Sequence, residues 1–258
     1  MTDPQSATPK IVTAAVVVIG NEMLSGRTKD LNLGYIATGL TAIGVRLIEG
    51  RFIPDVEATI VTTVNELRAK YDYVLTTGGI GPTHDDITAA SIAKAFGVPL
   101  ILHPRAAELL GDHYGAENLT EARMRMAHTP EGATLIDNPV SIAPGFRIGN
   151  VFVLAGVPRI AQAMFDGLKG GLKGGDPVLS RTVSGYIGEG VIAKDLGALQ
   201  DRHPVLEIGS YPFFRQGKFG ASFVIRGTGK AEIDAAAVEL HAIIKNLGAE
   251  PIDGDPAA

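Results

Sequence analysis

The chain has 258 residues, 45% of them hydrophobic, which is enough for one sizeable core and a smaller second domain. A formal net charge of -5, with no Lys/Arg run carrying interleaved aromatic residues, argues against nucleic acid as a partner. The lack of cysteine excludes disulfides, thiolate zinc sites and thiol catalysis.

The apolar stretch near the start of the sequence does not predict a membrane helix or a secretory signal. The longest apolar stretch near the start, residues 11–19, is far shorter than the roughly 20 residues that a membrane helix needs, and no basic region precedes it. We therefore expect a cytoplasmic protein that does not associate with a membrane. Residues 1–9 and 251–258 are rich in proline and small or polar residues, and they are predicted to be flexible tails.

The first hundred residues alternate buried strands with helices. Strands are predicted at 14–19, 45–53 and 73–77, and helices at 30–43, from Pro54-Asp55 onward, and at 86–96. This alternation predicts an α/β domain with a parallel sheet. The loops that begin at Gly20, Ile53 and Gly78 should then lie together at the edge where open α/β sheets bind ligands.

The rest of the chain is predicted to complete this domain and to add a second one. Helices at 106–114 and 121–127, strands near Phe146 and at 151–154, and a helix opened by Gly156-Val157-Pro158 extend the first domain to about residue 172. The Gly/Lys-rich stretch 169–177 is predicted to be a linker. Strands at 181–186, 205–208 and 220–226, with helices at 191–199 and 230–246, predict a small α+β domain at 178–250.

The segment that points most clearly to chemistry is TTGGIGPTHDDIT, residues 76–88. Gly78 and Gly79 allow positive φ and let a ligand approach the backbone, and Gly81 shapes the turn. A helix that starts at about Asp85 would direct unpaired N–H groups toward this loop, which is the arrangement that attracts phosphate. We therefore predict a phosphate-binding loop.

Adjacent carboxylates at Asp85 and Asp86 would repel phosphate unless they hold Mg²⁺ or another hard cation that bridges to it. The competing interpretation is that Thr83 or Asp85 is simply the helix N-cap and Asp86 a favourable charge in the first turn. Further polar residues are predicted at the same edge, in a number beyond what capping needs: Asn21, Glu22, Asp30 and Asp55.

Basic side chains near these acids have less definite roles. Arg27 and Lys29 could donate to phosphate, or they could be solvated loop charges. His84 has no second histidine at a zinc-binding spacing and is read as a hydrogen-bonding residue. The sequence also lacks a P-loop, a G-x-G-x-x-G dinucleotide fingerprint and a G-x-S-x-G nucleophile elbow.

At this loop the sequence resembles the signature of the molybdopterin-binding (MoaB/Mog-like) domain superfamily, in its competence/damage-inducible protein CinA branch. The likeness continues in IGNEMLSGRTKDLN from Ile19, RMAHTPEGATLIDNPVSIAPGF from Arg125, LAGVP from Leu154 and GSYPFF from Gly209. Ser141 and Ile142 depart from the usual Gly-Thr, and Ala155 replaces the usual Pro.

The resemblance implies a three-layer α/β sandwich with a mainly parallel sheet, a divalent metal (Mg, Mn or Co) and a homodimer. It implies a catalytic or metal-binding role for Asp86, supported by Asp85, with Asp55 as the second carboxylate. The expected ligand-binding residues are Gly78, Gly79, Gly81, Thr83, Glu22, Asp30, Asn32 and Arg27.

The resemblance also implies a function. The matching module is linked to metal-dependent hydrolysis of ADP-ribose-type pyrophosphates, and that of eukaryotic FAD synthases to FAD hydrolysis. The amidase domain that CinA proteins often carry is not matched here, so no amidase activity is expected. Two alternatives stay open, namely a molybdopterin adenylyltransferase and a non-catalytic module that binds a nucleotide or pterin.

Overall fold

The structure is a computed structural model, and it describes residues 10–115, 117–215 and 217–256. The chain forms two compact units, the first ending at Gly175 and the second beginning at Asp176. The predicted tail at residues 1–9 lies outside the described residues. Within the described ranges, no helix combines the length and apolarity needed to cross a membrane.

The first unit alternates strands and helices along most of its length. In chain order its elements are β1 (Val12–Ile19), α1 (Asn21–Leu24), α2 (Asn32–Ala42), β2 (Val45–Ile53), α3 (Glu57–Lys70), β3 (Tyr73–Thr77), α4 (Thr88–Phe96), β4 (Leu100–Leu102), α5 (Pro104–Tyr114), α6 (Glu121–Arg125), β5 (His128–Pro130), β6 (Thr134–Ile136), β7 (Gly145–Ile148), β8 (Val151–Leu154) and α7 (Pro158–Lys169).

The central sheet of this unit has the strand order β2-β1-β3-β8-β7-β6. The pairs β1–β2, β1–β3 and β3–β8 are parallel, whereas β7 pairs antiparallel with both β8 and β6. Separately, β4 and β5 form a two-stranded antiparallel ribbon. The prediction of a mainly parallel sheet is therefore confirmed.

Helices cover both faces of the sheet. Alternate residues of β1 enter two different cores, because successive side chains of a strand point to opposite faces. Val17 packs in one core with Ile60 of α3 and Ile92 of α4, and Val16 packs in the other with Ile36 of α2. The result is the predicted three-layer α/β sandwich.

The start of α4 corrects the sequence prediction. The helix begins at Thr88 and its N-cap is Ile87, so neither Thr83 nor Asp85 caps it. The reason is local: Asp86 folds back, and its Oδ2 accepts a hydrogen bond from the Thr83 N–H at 2.8 Å. Asp85 and Asp86 consequently lie in a turn ahead of the helix, where they are not required for capping.

The division between the two units, at Gly175 and Asp176, falls inside the predicted linker at 169–177. As far as Gly175 it packs on the first unit, where the Gly175 N–H donates to the Gly44 carbonyl at 3.1 Å. The Tyr73 hydroxyl bonds both the carbonyl and the N–H of Lys173. A Cβ on Gly174 would overlap the Ile43 carbonyl oxygen, which explains why glycine is needed for this close approach.

The second unit is a small α+β fold, as predicted. Its elements are β9 (Leu179–Gly185), α8 (Glu189–Arg202), β10 (Glu207–Arg215), β11 (Lys218–Gly227), α9 (Lys230–Asn246) and β12 (Pro251–Asp253). The sheet is antiparallel with the order β10-β11-β9-β12. Alternate residues of β11, such as Phe223, pack in one core with Ile192 of α8 and Leu240 of α9.

The predicted tail at 251–258 is wrong for the residues that the structure describes. Pro251–Asp253 forms β12, which pairs with the edge of β9, and Asp255 accepts a hydrogen bond from the Ser222 hydroxyl at 2.7 Å. Pairing an otherwise open strand edge stabilises a segment whose composition alone suggests disorder. Residues 257–258 lie outside the described chain.

Candidate functional site

A cavity of about 590 Å³ lies where the parallel strands of the first unit end. The Gly20 N–H, after β1, donates to the Ile53 carbonyl at the end of β2. The Gly78 N–H, after β3, donates to the Leu154 carbonyl at the end of β8. These bonds bring the loops after four strands to one edge, the position at which open α/β sheets bind ligands.

The glycines of the loop after β3 are required by geometry. Gly78 and Gly79 have φ of 103° and 70°, in the left-handed region. A Cβ on Gly78 would overlap the Ile19 carbonyl oxygen, and one on Gly79 would overlap the Thr88 hydroxyl. The prediction that this loop needs glycine for positive φ therefore agrees with the structure.

The loop, rather than the helix after it, presents free donors to the cavity. The N–H groups of Gly79, Ile80 and Gly81 have no hydrogen-bond acceptor among the described residues. By contrast, the first N–H of α4, that of Thr88, donates to the Gly79 carbonyl at 2.9 Å. Gly79, Ile80 and Gly81 all line the cavity, and consecutive backbone N–H groups without partners are donors that an anion can use.

Asp86 lines the cavity and is held in a fixed position by the same loop. Its Oδ2 accepts hydrogen bonds from both the N–H and the hydroxyl of Thr83. Its Oδ1 has no hydrogen-bond partner in the described part of the chain. Gly81 lies close to this oxygen, because a Cβ added to Gly81 would be 3.1 Å from it. One carboxylate oxygen is thus used for positioning, and the other is left for a ligand.

Asp55 and Glu22 line the cavity from the neighbouring loops. The Oδ2 of Asp55 accepts a hydrogen bond from the Asn21 N–H at 2.9 Å, at the start of α1. Like Asp86, Asp55 keeps one oxygen that has no partner among the described residues. Glu22 folds over Gly20, where a Cβ would lie 2.7 Å from both of its carboxylate oxygens.

Asp85 also lines the cavity, with 62% of its side chain exposed. The Thr83 hydroxyl, followed by the backbone N–H of Asp85 itself, holds the pKa of this carboxyl below its usual range. Thr83 therefore acts on both carboxylates, donating to Asp86 and favouring the charged form of Asp85. Asp85 is therefore ionised at neutral pH.

Other predicted site residues do not line the cavity. Asp30 accepts from the N–H groups of Asn32 and Leu33, the first two residues of α2. Asn32 is 1% exposed, and its Nδ2 donates to the Gly156 carbonyl at 2.8 Å. Both residues therefore support the site from beneath. Arg27 is exposed on the loop after α1 and is not among the lining residues.

The sequence analysis missed the wall of the cavity that comes from residues 138–143. Asn138 is 5% exposed, and its Oδ1 accepts from the N–H groups of Val140 and Ser141. Its Nδ2 donates to the Ser141 hydroxyl and to the Ala143 carbonyl. Ser141 and Ala143 line the cavity, and the Asn-Pro pair at 138–139 is a turn signal that could have indicated this organised loop.

The charges around the cavity are strongly one-sided. Among the described residues that line it there are four carboxylates and no Lys, Arg or His; the four are Glu22, Asp55, Asp85 and Asp86. Within the described ranges, no three acidic or histidine side chains come together as a ready-made metal site. Carboxylates of this kind suit a hard cation such as Mg²⁺, which commonly uses one or two protein carboxylates, water and substrate phosphate.

Each of the two units matches a family of known proteins. Residues 15–173 match the family described as "Probable molybdopterin binding domain", and residues 177–251 match the family described as "FAD synthase, middle domain". A protein of Pyrobaculum calidifontis is 39% identical over 161 residues, which cover 60% of this chain and 62% of that protein. One from Archaeoglobus fulgidus is 34% identical over 200 residues, covering 76% and 84%.

The chain spans about three fifths of the length of several such relatives, including one from Aeropyrum pernix that is 38% identical over 159 residues, or 59% of each chain. Among solved structures, the protein CinA from Thermoplasma acidophilum, described as of unknown function, is 33% identical with a TM-score of 0.59. That match covers 62% of this chain and 98% of the CinA chain. The chain therefore belongs to the molybdopterin-binding (MoaB/Mog-like) domain family and resembles its CinA branch.

Proposed function

We propose that this site hydrolyses the phosphoanhydride bond of nucleotide diphosphate-linked metabolites of the ADP-ribose or FAD type, with a divalent metal. The observation that carries the proposal is the pairing of two features in one cavity. Unpaired N–H groups of Gly79, Ile80 and Gly81 lie beside four carboxylates and no basic residue among the described lining residues.

Magnitudes favour a cation in this arrangement. One carboxylate about 4 Å from one phosphate charge costs about 1 kcal/mol in water and about 4 kcal/mol at the dielectric typical of a protein surface. A hydrogen bond to a charged group contributes about 1.5–3 kcal/mol, so three backbone N–H groups do not offset the repulsion between four carboxylates and a diphosphate. A diphosphate is therefore expected to enter with Mg²⁺, Mn²⁺ or Co²⁺, which Asp85 and Asp86 would hold.

Residues that line the cavity would bind the substrate and activate the attacking water. The N–H groups of Gly79 to Gly81 would bind and orient one phosphoryl group. The unpartnered oxygen of Asp55 would accept a hydrogen bond from the attacking water and remove its proton. The water oxygen then bonds to phosphorus, the bridging P–O bond breaks, and two monophosphates result. The metal, when bound, would neutralise the charge that builds up on the diphosphate.

The match of residues 177–251 to the FAD synthase middle domain supports a substrate that carries both adenine and a diphosphate. FAD and ADP-ribose share these two groups and differ in the group beyond the diphosphate. We therefore propose that the site recognises the shared ADP portion. This makes both compounds, rather than one of them, the first substrates to test.

Two other functions have some support. The family description of residues 15–173 favours a molybdopterin adenylyltransferase, which would use the same carboxylates to join AMP to the pterin. The third candidate is a module that binds a nucleotide or pterin without turnover, because the unpaired N–H groups of Gly79 to Gly81 could bind an anion without any reaction following.

One screen separates the three functions. The protein is incubated with ADP-ribose, FAD or NADH and with Mg²⁺, Mn²⁺ or Co²⁺, and mononucleotide release is followed by mass spectrometry. A parallel reaction contains ATP and molybdopterin, and calorimetry measures binding of each compound. Metal-dependent release of mononucleotide supports the proposed hydrolase. Adenylylated pterin would identify a transferase, and tight binding without any product would identify a binding module.

A further inference from the structure

A second, small cavity of about 30 Å³ adjoins the main one. The two share Ile80, Gly81, Asp86 and Met126 as lining residues, so they are direct neighbours. Among the residues that only the small cavity contacts, two carry basic side chains, Arg125 and His128. It therefore introduces basic side chains next to an otherwise acidic site.

Arg125 is a positively charged side chain that is available to bind an anion. It is the last residue of α6 and is exposed, and its guanidinium has no hydrogen bond or ion pair with any described residue. It shares a cavity wall with Asp86, but the two side chains do not form an ion pair. Arg123, two residues earlier, contrasts with it, because its guanidinium donates to the Asn118 carbonyl and stacks on Tyr114.

His128 has one ring nitrogen committed and one available. Its Nδ1 lies 3.2 Å from the Met124 carbonyl oxygen. Because a carbonyl only accepts hydrogen bonds, Nδ1 must carry the proton in this contact. The Nε2 atom has no partner in the described part of the chain. In the neutral ring Nε2 accepts a hydrogen bond, and only the imidazolium form of His128 donates from Nε2 to a phosphate oxygen.

We propose that Arg125 and His128 form an anion subsite that binds the second phosphoryl group of a diphosphate-linked ligand. The Gly79 to Gly81 N–H groups would hold one phosphoryl group, and the subsite in the neighbouring small cavity would hold the next one. A guanidinium suits this role because it donates two parallel hydrogen bonds to phosphate oxygens. The identity of the ligand rests on the proposed function, whereas anion binding at Arg125 does not.

The subsite predicts which ligands lose affinity when it is removed. Calorimetry with Mg²⁺ compares ADP-ribose, which has two phosphoryl groups, with AMP, which has one. Arg125→Ala should weaken ADP-ribose binding at least about tenfold, the scale for losing a hydrogen bond to a charged group, and His128→Ala about two- to tenfold. AMP affinity should change by less than about threefold, and Arg125→Lys should recover part of the loss because it keeps the charge.

Arg123→Ala is the matched control, because it removes an arginine from the same helix outside both cavities. Its ADP-ribose affinity should stay within about twofold of the wild type when both proteins are folded by thermal melting. Equal affinity for ADP-ribose in Arg125→Ala and wild type would overturn the subsite, as would an equal loss for AMP.

The result also separates the subsite from the proposed function. Wild-type binding without turnover, weakened by Arg125→Ala, would support the subsite and remove the hydrolase. Turnover of ADP-ribose with the same KM in Arg125→Ala and the wild type would support the hydrolase and overturn the subsite. If the wild type binds neither ADP-ribose nor inorganic pyrophosphate with any metal, both proposals fail.

Discussion

Gly81 and Asp86 are so close that a Cβ on Gly81 would lie 2.6 Å from Oδ2 of Asp86. That oxygen is the one that accepts the N–H and hydroxyl of Thr83. The carboxylate could yield only by giving up these two bonds. Gly81 is therefore a steric requirement for the position of Asp86, even though its φ is outside the left-handed region.

Gly81→Ala is predicted to reduce activity far more than stability. Loss of two exposed hydrogen bonds should lower the free energy of unfolding by only about 1–2 kcal/mol. A displaced carboxylate should lower kcat/KM for ADP-ribose by about tenfold to a hundredfold, because catalytic groups tolerate little misplacement. Gly111→Ala, which has ample space in α5, is the control. Equal kcat/KM in both variants and the wild type would show that Asp86 does not need this position.

Glu49 predicts how stability depends on pH. The Tyr71 hydroxyl, then Arg51 and Lys70, lower its pKa from 4.5 to about 2. A pKa that is lower in the folded state than in the unfolded state stabilises the protein above pH 4.5, and that contribution is lost as the pH falls toward 2. Glu49→Gln should thus lower Tm at pH 7, and the Tm difference from wild type should shrink between pH 4.5 and 2.

The control for this prediction is Glu131→Gln, because the Glu131 side chain is exposed and has no partner among the described residues. Its Tm difference from wild type should be small at every pH. Differential scanning calorimetry of the three proteins in steps from pH 7 to 2 provides the measurement. A constant Glu49→Gln difference across that range would contradict the proposed linkage.

The sequence was sufficient for the parts of the site that follow from local patterns. Buried apolar runs predicted β3 and β8 to the residue, and parallel strands place their following loops together. For this reason Gly78, Asp55 and Asp86 could be expected at one edge, and all three line the cavity.

The features that were missed depend on contacts between distant or non-periodic segments. Asp30 was expected at the site, yet it bonds the first N–H groups of α2, because an aspartate two residues before a helix can reach them. Asn138 lies in an irregular segment and Arg125 at the end of the short helix α6, and no local pattern shows that either residue lies beside the distant glycine loop. The pairing of β12 with β9 joins residues about 70 positions apart, so the sequence around β12 alone does not predict it.

Ile142 is expected to be strained. Its φ of 68° lies in the left-handed region, which costs a residue with a Cβ about 1–2 kcal/mol. Asn138 holds it there through the Ile142 N–H and the neighbouring Ser141 N–H. Ile142→Gly and Ile142→Ala remove nearly the same side chain, so their difference reports the backbone. We expect the glycine variant to be more stable than the alanine variant by about 1 kcal/mol, or about 2–4 °C in Tm.

The control for this prediction is Ala90, an exposed position in α4. At this position we expect the protein with alanine to be more stable than the protein with glycine. There Ala90→Gly should lower stability by about 1 kcal/mol, because glycine is unfavourable inside a helix. Urea unfolding of the variants measures both differences. If Ile142→Gly is less stable than Ile142→Ala, the strain at this position is too small to matter.

Substitutions of Asp86 and Asp55 are predicted to lower activity for different reasons, which the response to Mn²⁺ distinguishes. Each aspartate has one oxygen used in positioning and one without a partner among the described residues. Asp86→Asn and Asp55→Asn should each lower kcat by at least about a hundredfold, the scale for an electrostatic or acid-base group. Because Asp86 is proposed to hold the metal and Asp55 to orient water, a higher Mn²⁺ concentration should restore part of the activity of Asp86→Asn only.

The control is Asp112→Asn, which changes an exposed aspartate on α5 and should leave kcat equal to that of the wild type. Equal rescue of both variants would assign both carboxylates to the metal and leave the water without its proposed base.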